Sequence, residues 1–247
     1  MVRNGGGRWR RFAGSTVFRH LGGIVAAALV VYLFTEVRAE WSPMHKWNRA
    51  FGDASLALVA LAMAIGPLAR LWARFAPLLP WRREFGIWGV VAGGIHTVVI
   101  LNGWVEWELP RLFGFVLHPA LGQYVMVEKG FGLGNVIGIA ALIYGLVLAV
   151  TSNDLSQRAL GLSVWKFVQQ GVYVLWALIV AHTAYFLYIH FLDFHRQTPE
   201  PNILQWPFVA LVGLVLSLQM AASWRTWKLR RRRVAGWRAG QESPGQA

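Results

Sequence analysis

No cysteine occurs anywhere in the 247 residues. Disulfides, thiolate metal ligands and iron–sulfur clusters are therefore excluded. Covalent attachment of haem, which needs a C-x-x-C-H run, is excluded too. Charge is also scarce: 14% of residues are charged, against roughly a quarter in an average soluble domain. Acid is the scarcest part of it, with 11 Asp and Glu against 24 Lys and Arg.

Apolar residues fill the gap. They make up 56% of the chain, and 14 of them are Trp. Rings of this amphipathic kind favour membrane interfaces. Six apolar stretches, near 20–37, 53–72, 86–104, 131–151, 165–190 and 205–223, approach the ~20 residues that a membrane crossing needs. The expected class is an all-α, polytopic membrane bundle of six transmembrane helices.

The net charge of +13 would suit nucleic acid, but the basic residues follow the loops instead. Most lie in 1–19, 70–83, 158–166 and 225–238, which alternate with the other connections. The positive-inside rule then puts both termini in the cytoplasm, and no nucleic-acid partner is expected. The predicted organisation is a basic tail 1–19, a membrane domain 20–224 and a second basic tail 225–247. RWRRF near the start resembles an export signal, but TEVRAE is a poor cleavage site, so 21–37 is read as a retained helix. Residues 1–12 read as disordered. Residues 38–52 read as an outside loop. The long outside loop 105–130 carries RLFGFVL, which is too short to cross.

Two histidines sit deep in apolar spans: His96 in span three and His182 in span five. An ionisable group there is costly and usually functional, and neutral imidazole is a good iron ligand. Each lies eight residues before the outer end of its span, roughly 12 Å deep at 1.5 Å per residue. The equal depth suits one iron held between two helices. Without cysteine, any haem is non-covalent. The alternatives are a hydrogen bond to a neighbouring helix, or a proton relay. Ala92 and Gly93 share the face of His96. Gly134, Gly138, Ala141 and Gly145 form a small-residue face that admits a helix or a flat cofactor. His20, His45, His118, His190 and His195 read as loop or interfacial residues. Gln169 and Gln170 near the inner end of span five could bind a quinone oxygen. Arg82 and Arg83 at the start of span three could contact an anionic group, though such arginines mostly anchor helices.

WRREFGIWGVVAGGIHTVVI (81–100), LIYGLVLAVTSND (142–154) and LGLSVWKFVQQGVYVLWALIVAHTAYFLY (160–188) together resemble the ferric reductase-like transmembrane family. Within it they are most similar to the haem-binding membrane subunits of bacterial periplasmic methionine-sulfoxide reductase systems. The resemblance covers about 50–225. It implies b-type haem, with His96 and His182 as axial ligands to the iron. The family's W-K-x-x-H pattern here reads Trp165-Lys166-Phe167-Val168-Gln169. Gln169 thus stands where an inner ligand would be, so one haem b is expected rather than two.

The implied function is electron transfer across the bacterial inner membrane. The donor would be the quinone pool or a cytoplasmic flavin reductase. The acceptor would be a periplasmic redox partner such as a methionine-sulfoxide reductase catalytic subunit. The alternatives are ferric or other metal reduction at the outer face, or a proton-coupled transporter. A transporter would show inverted repeats and broken helices, and the sequence displays neither.

Overall fold

A backbone surrounded by lipid must satisfy its own hydrogen bonds, and long apolar helices are one of the two ways to do so. The computed structural model describes residues 15–190 and 203–241. Six of its helical segments are long and apolar enough to cross a membrane. They are α1 (Thr16–Glu36), α2 (Pro43–Leu71), α3 (Trp81–Ile100), α4 (Lys129–Thr151), the pair α5 (Asp154–Gln170) and α6 (Val172–Ala184), and α7 (Gln205–Gln241). α3 runs on into a π-helical turn, Leu101–Val105, and α6 into another, Tyr185–His190.

α2 is the central helix. More than half of its apolar window is buried, against 11% for α1 and for α7. It packs against α1, α3 and α7. Small residues let it close on α1 and α3, where Val31, Ala50, Ala54 and Ala92 form one cluster. Between lipid-facing helices such small contacts replace the hydrophobic drive available in water. Larger side chains fill the seam with α6 and α7: Leu56, Val59 and Met63 meet Trp176, Leu187, Phe208 and Val215.

Pro67 lies inside α2 and has no N–H to give the carbonyl of Met63, one turn back. Gln219 of α7 supplies the missing donor, with Nε2 at 2.9 Å from that oxygen. Arg82 Nε donates to the neighbouring Ala62 carbonyl at 3.2 Å. Arg225 donates to the Leu71 carbonyl at the end of α2. Three carbonyls in the second half of α2 are thus met by three side chains from two other helices.

The end of the bundle that holds the 105–128 connection is called the hairpin face below. There Leu109–Leu112 makes a helical turn, and the strands β1 (Phe115–His118) and β2 (Gln123–Met126) pair antiparallel, with Phe115 opposite Met126. The RLFGFVL piece is therefore helical turn plus strand.

Several boundaries differ from the sequence reading. The 38–52 segment is not a loop throughout, because α2 starts at Pro43. Ser42-Pro43 is a helix start, with proline at a position whose N–H would be orphaned anyway. The fifth crossing starts earlier than expected and is broken at Gly161, whose φ of 73° is open to glycine but not to a helical residue. α7 continues through Arg230–Arg233 to Gln241, so the basic segment is a helix with those arginines exposed. The expected disorder of 1–12, and His195, lie outside the described residues.

Candidate functional site

α2, α3, α4 and α6 enclose a cavity at the hairpin-face half of the bundle. The centre of a water-sized sphere can range over about 240 Å³ in it. One water needs only about 10–15 Å³ by that measure, so the space suits something much larger.

His96 of α3 and His182 of α6 face each other across this cavity. Their ring centres are 6.2 Å apart and their planes meet at 86°. Each ring is oriented from behind. His96 Nδ1 lies 2.8 Å from the Asn48 carbonyl of α2, and His182 Nδ1 lies 2.9 Å from the Gly134 carbonyl of α4. A carbonyl can only accept, so both Nδ1 atoms carry the proton and both Nε2 atoms keep a lone pair. That is how a metal-binding histidine is usually held, its second nitrogen donating to a carbonyl or carboxylate.

Glycines make this possible. A Cβ on Gly138 would stand 2.8 Å from His182 Cε1, and one on Gly52 would stand 3.2 Å from His96 Nδ1. The small face of α4 is thus used twice: Gly138 admits His182 of α6 and Gly134 admits Phe186 of the π turn after it, while Gly145 admits Val90 of α3. Gly93 lines the cavity, whereas Ala92 turns into the α1–α2 seam.

The donor set can be tested against a metal. Among the described residues no three His, Cys, Asp or Glu converge, so a bare ion has too few ligands. A porphyrin brings four nitrogens of its own and needs two more. Two metal–imidazole bonds of about 2 Å, plus roughly 1 Å from each nitrogen to its ring centre, give a centre-to-centre distance of about 6 Å. The observed 6.2 Å matches, and the residues present fit a bis-histidine haem.

The remaining predicted residues lie elsewhere. Gln169 closes the α4–α5 junction: its Nε2 donates to Thr151 Oγ1 at 3.0 Å and its Oε1 accepts from Ser152 Oγ at 3.2 Å. Arg82 donates to the Ala62 carbonyl of α2, and Arg83 pairs with Asp154 at 3.2 Å. None of the three lines the cavity.

The sequence reading passed over the first turns of α2. His45, Asn48, Arg49, Gly52 and Asp53 recur at helical spacing and all line the cavity. Reading 38–52 as a loop hid the first four of them, although Ser42-Pro43 signals the helix start. His190 and Trp104 line the cavity as well. Each lies eight residues beyond a facing histidine, which on a regular α-helix leaves it about 80° off that histidine's face. The π turns, at about 4.4 residues per turn, remove most of that offset.

Six membrane-length helices, with a cavity between four of them in which two imidazoles face one another, define a class: a multi-pass transmembrane electron-transfer component. Residues 51–180, more than half of the chain, match the family described as Ferric reductase like transmembrane component, and the chain belongs to that family. Its members typically bind haem. The matched stretch includes His96 and stops two residues short of His182.

Proposed function

We propose that this chain is a haem b membrane subunit that carries electrons from one side of a bacterial inner membrane to the other. His96 and His182 would hold the haem iron through their Nε2 atoms, with one haem per chain. The observation that carries this reading is the facing pair, 6.2 Å apart with both Nδ1 atoms tied to backbone carbonyls. Haem supplies one-electron chemistry between its ferric and ferrous states. The protein's own residues would hold the iron from two sides through the two Nε2 atoms and keep water away from it. With both histidines bound, oxygen or substrate would be disfavoured at the metal.

The arginine-rich ends of the chain face the cytoplasm in this reading, following the charge bias of the loops. Donor electrons come from a quinol or a cytoplasmic flavin reductase docking on that side. The cavity lies towards the hairpin face, which suits delivery to a periplasmic acceptor such as a methionine-sulfoxide reductase catalytic subunit. Gln169 has its amide engaged at a helix junction, which supports one haem rather than two.

The test is the haem content of purified variants. His96→Ala and His182→Ala are expected to lose the b-type absorption bands, while Gln169→Ala keeps them. Full haem in both histidine variants would falsify the ligand assignment.

A further inference from the structure

α7 leans on α2 through one stripe of residues at helical spacing. Phe208 and Val215 enter the seam with α2, Gln219 bonds the Met63 carbonyl, and Ala222 is fully buried. The stripe reaches the end of α2 at Arg225, which donates to the Leu71 carbonyl. α2 stops at Leu71, while α7 runs on. Over its next two turns the same stripe becomes Lys228, Leu229 and Arg232, all exposed. Together with Trp224 and Arg225 they line a hollow in the surface.

The hollow lies at headgroup depth. Trp206 and Trp224 of α7 are both exposed, and their spacing along the helix is roughly 27 Å at 1.5 Å per residue. That is close to the ~30 Å of a hydrocarbon core, and Trp is favoured at both of its borders. Trp72, directly after α2, is exposed as well. The hollow therefore opens at the border opposite the hairpin face. Positive charge collects there without an answer. Of the acids described at that end, Glu84 is paired with Arg19 and Asp154 with Arg83. Among the described residues Arg70, Arg225, Lys228 and Arg232 have no ion pair.

We propose that Arg225, Lys228 and Arg232 form a binding site for the phosphate of an anionic phospholipid, whose acyl chains run beside the membrane part of α7. Cations at steps of three and four project to one side of a helix, so one phosphate meets several of them. A zwitterionic lipid brings its own ammonium to the same place and gains less. An acidic protein approaching from solution would meet Arg230–Arg233 first, whereas the hollow begins at the membrane border beside Trp224. The bound lipid would clamp α7 to the end of α2, where α7 has little other cover. None of this depends on haem.

The experiment uses the full-length chain in a neutral detergent. Binding of phosphatidylglycerol and of phosphatidylcholine is measured by native mass spectrometry, and thermal unfolding is followed with each lipid. Two double variants remove the same charge. Lys228→Gln with Arg232→Gln empties the hollow of two cations, whereas Arg230→Gln with Arg233→Gln lies on other sides of the helix, at about 100° per residue. Wild type is expected to prefer the anionic lipid by about tenfold or more, and to unfold at a higher temperature with it. The hollow variant is expected to lose most of that preference and of that gain, while the control variant keeps both. Lys228 and Arg232 make no hydrogen bond or ion pair among the described residues, so the hollow variant is expected to fold as wild type does. If it does not, Lys228→Gln alone, with a smaller loss, carries the test.

Wild type that binds the two lipids equally overturns the proposal. So does an equal loss in the two double variants, which would mean that net charge alone attracts the lipid. Inorganic phosphate that displaces the lipid from wild type would make the hollow a site for free phosphate, and would overturn the lipid assignment. A hollow variant that binds phosphatidylglycerol as wild type does would leave these cations to an acidic protein surface, and overturns it too.

Discussion

Each facing histidine depends on a glycine behind it. Gly138 leaves a Cβ-sized space at 2.8 Å from the His182 ring, tighter than the 3.2 Å at Gly52 beside His96. A methyl group at Gly138 must therefore push the ring or part α4 from α6. We expect Gly138→Ala to bind haem more weakly than Gly52→Ala, with a larger share of high-spin iron, read from the absorption spectrum. Equal spectra for the two variants would show that the rings have slack. The histidines were legible in the sequence because an imidazole stands out in an apolar run. Arg49 and Asp53 were not, because Arg38, Lys46 and Arg49 together make the segment look like a loop. The Arg38–Asp53 ion pair is polar in sequence, yet Arg38 is buried and Asp53 lines the cavity.

Between elements, α1 is the least buried span beside α7, yet it carries one buried ion pair. Arg19 Nε lies 3.0 Å from Glu84 Oε1 of α3, and Glu84 has no exposed surface. Its Oε2 is buried without a hydrogen-bond partner. Removing the cation strands the carboxylate, a change that typically costs about 3–5 kcal/mol. Arg19→Met is expected to unfold at a clearly lower temperature than wild type in detergent, and Arg19→Met with Glu84→Gln to regain much of the loss. A single variant as stable as wild type would show that the ion pair contributes nothing to holding α1 on α3. The six spans themselves were readable from length and hydropathy. Helix ends were less so: the π turns at Leu101–Val105 and Tyr185–His190 depend on tertiary packing and leave no local pattern. They are the reason that Trp104 and His190 face the cavity.

For the molecule as a whole, the direction of electron flow rests on orientation. In the proposed orientation, which follows the charge bias of the loops, both termini lie on the cytoplasmic side and the β1–β2 hairpin lies outside. A periplasm-dependent phosphatase inserted between His118 and Gln123 is expected to be active, and the same enzyme fused after Ala247 inactive. The reverse pattern would turn the membrane path around. Family and fold were visible in the sequence because hydropathy sets the number of crossings and the motifs around His96 keep their order. The polar residues of the cavity wall came together only when α2 was folded against α3.

The central claim is that one iron sits between His96 and His182. The two rings meet at 86°, and near-perpendicular axial imidazoles give low-spin ferric haem a highly anisotropic electron paramagnetic resonance signal. The direct measurement is that spectrum on the oxidised, haem-loaded protein at low temperature, with haem counted per chain. The account predicts one haem and a low-spin signal of the highly anisotropic type, absent from His96→Ala and His182→Ala. A high-spin ferric signal from the wild-type protein, or a low-spin signal that survives in both variants, would contradict it.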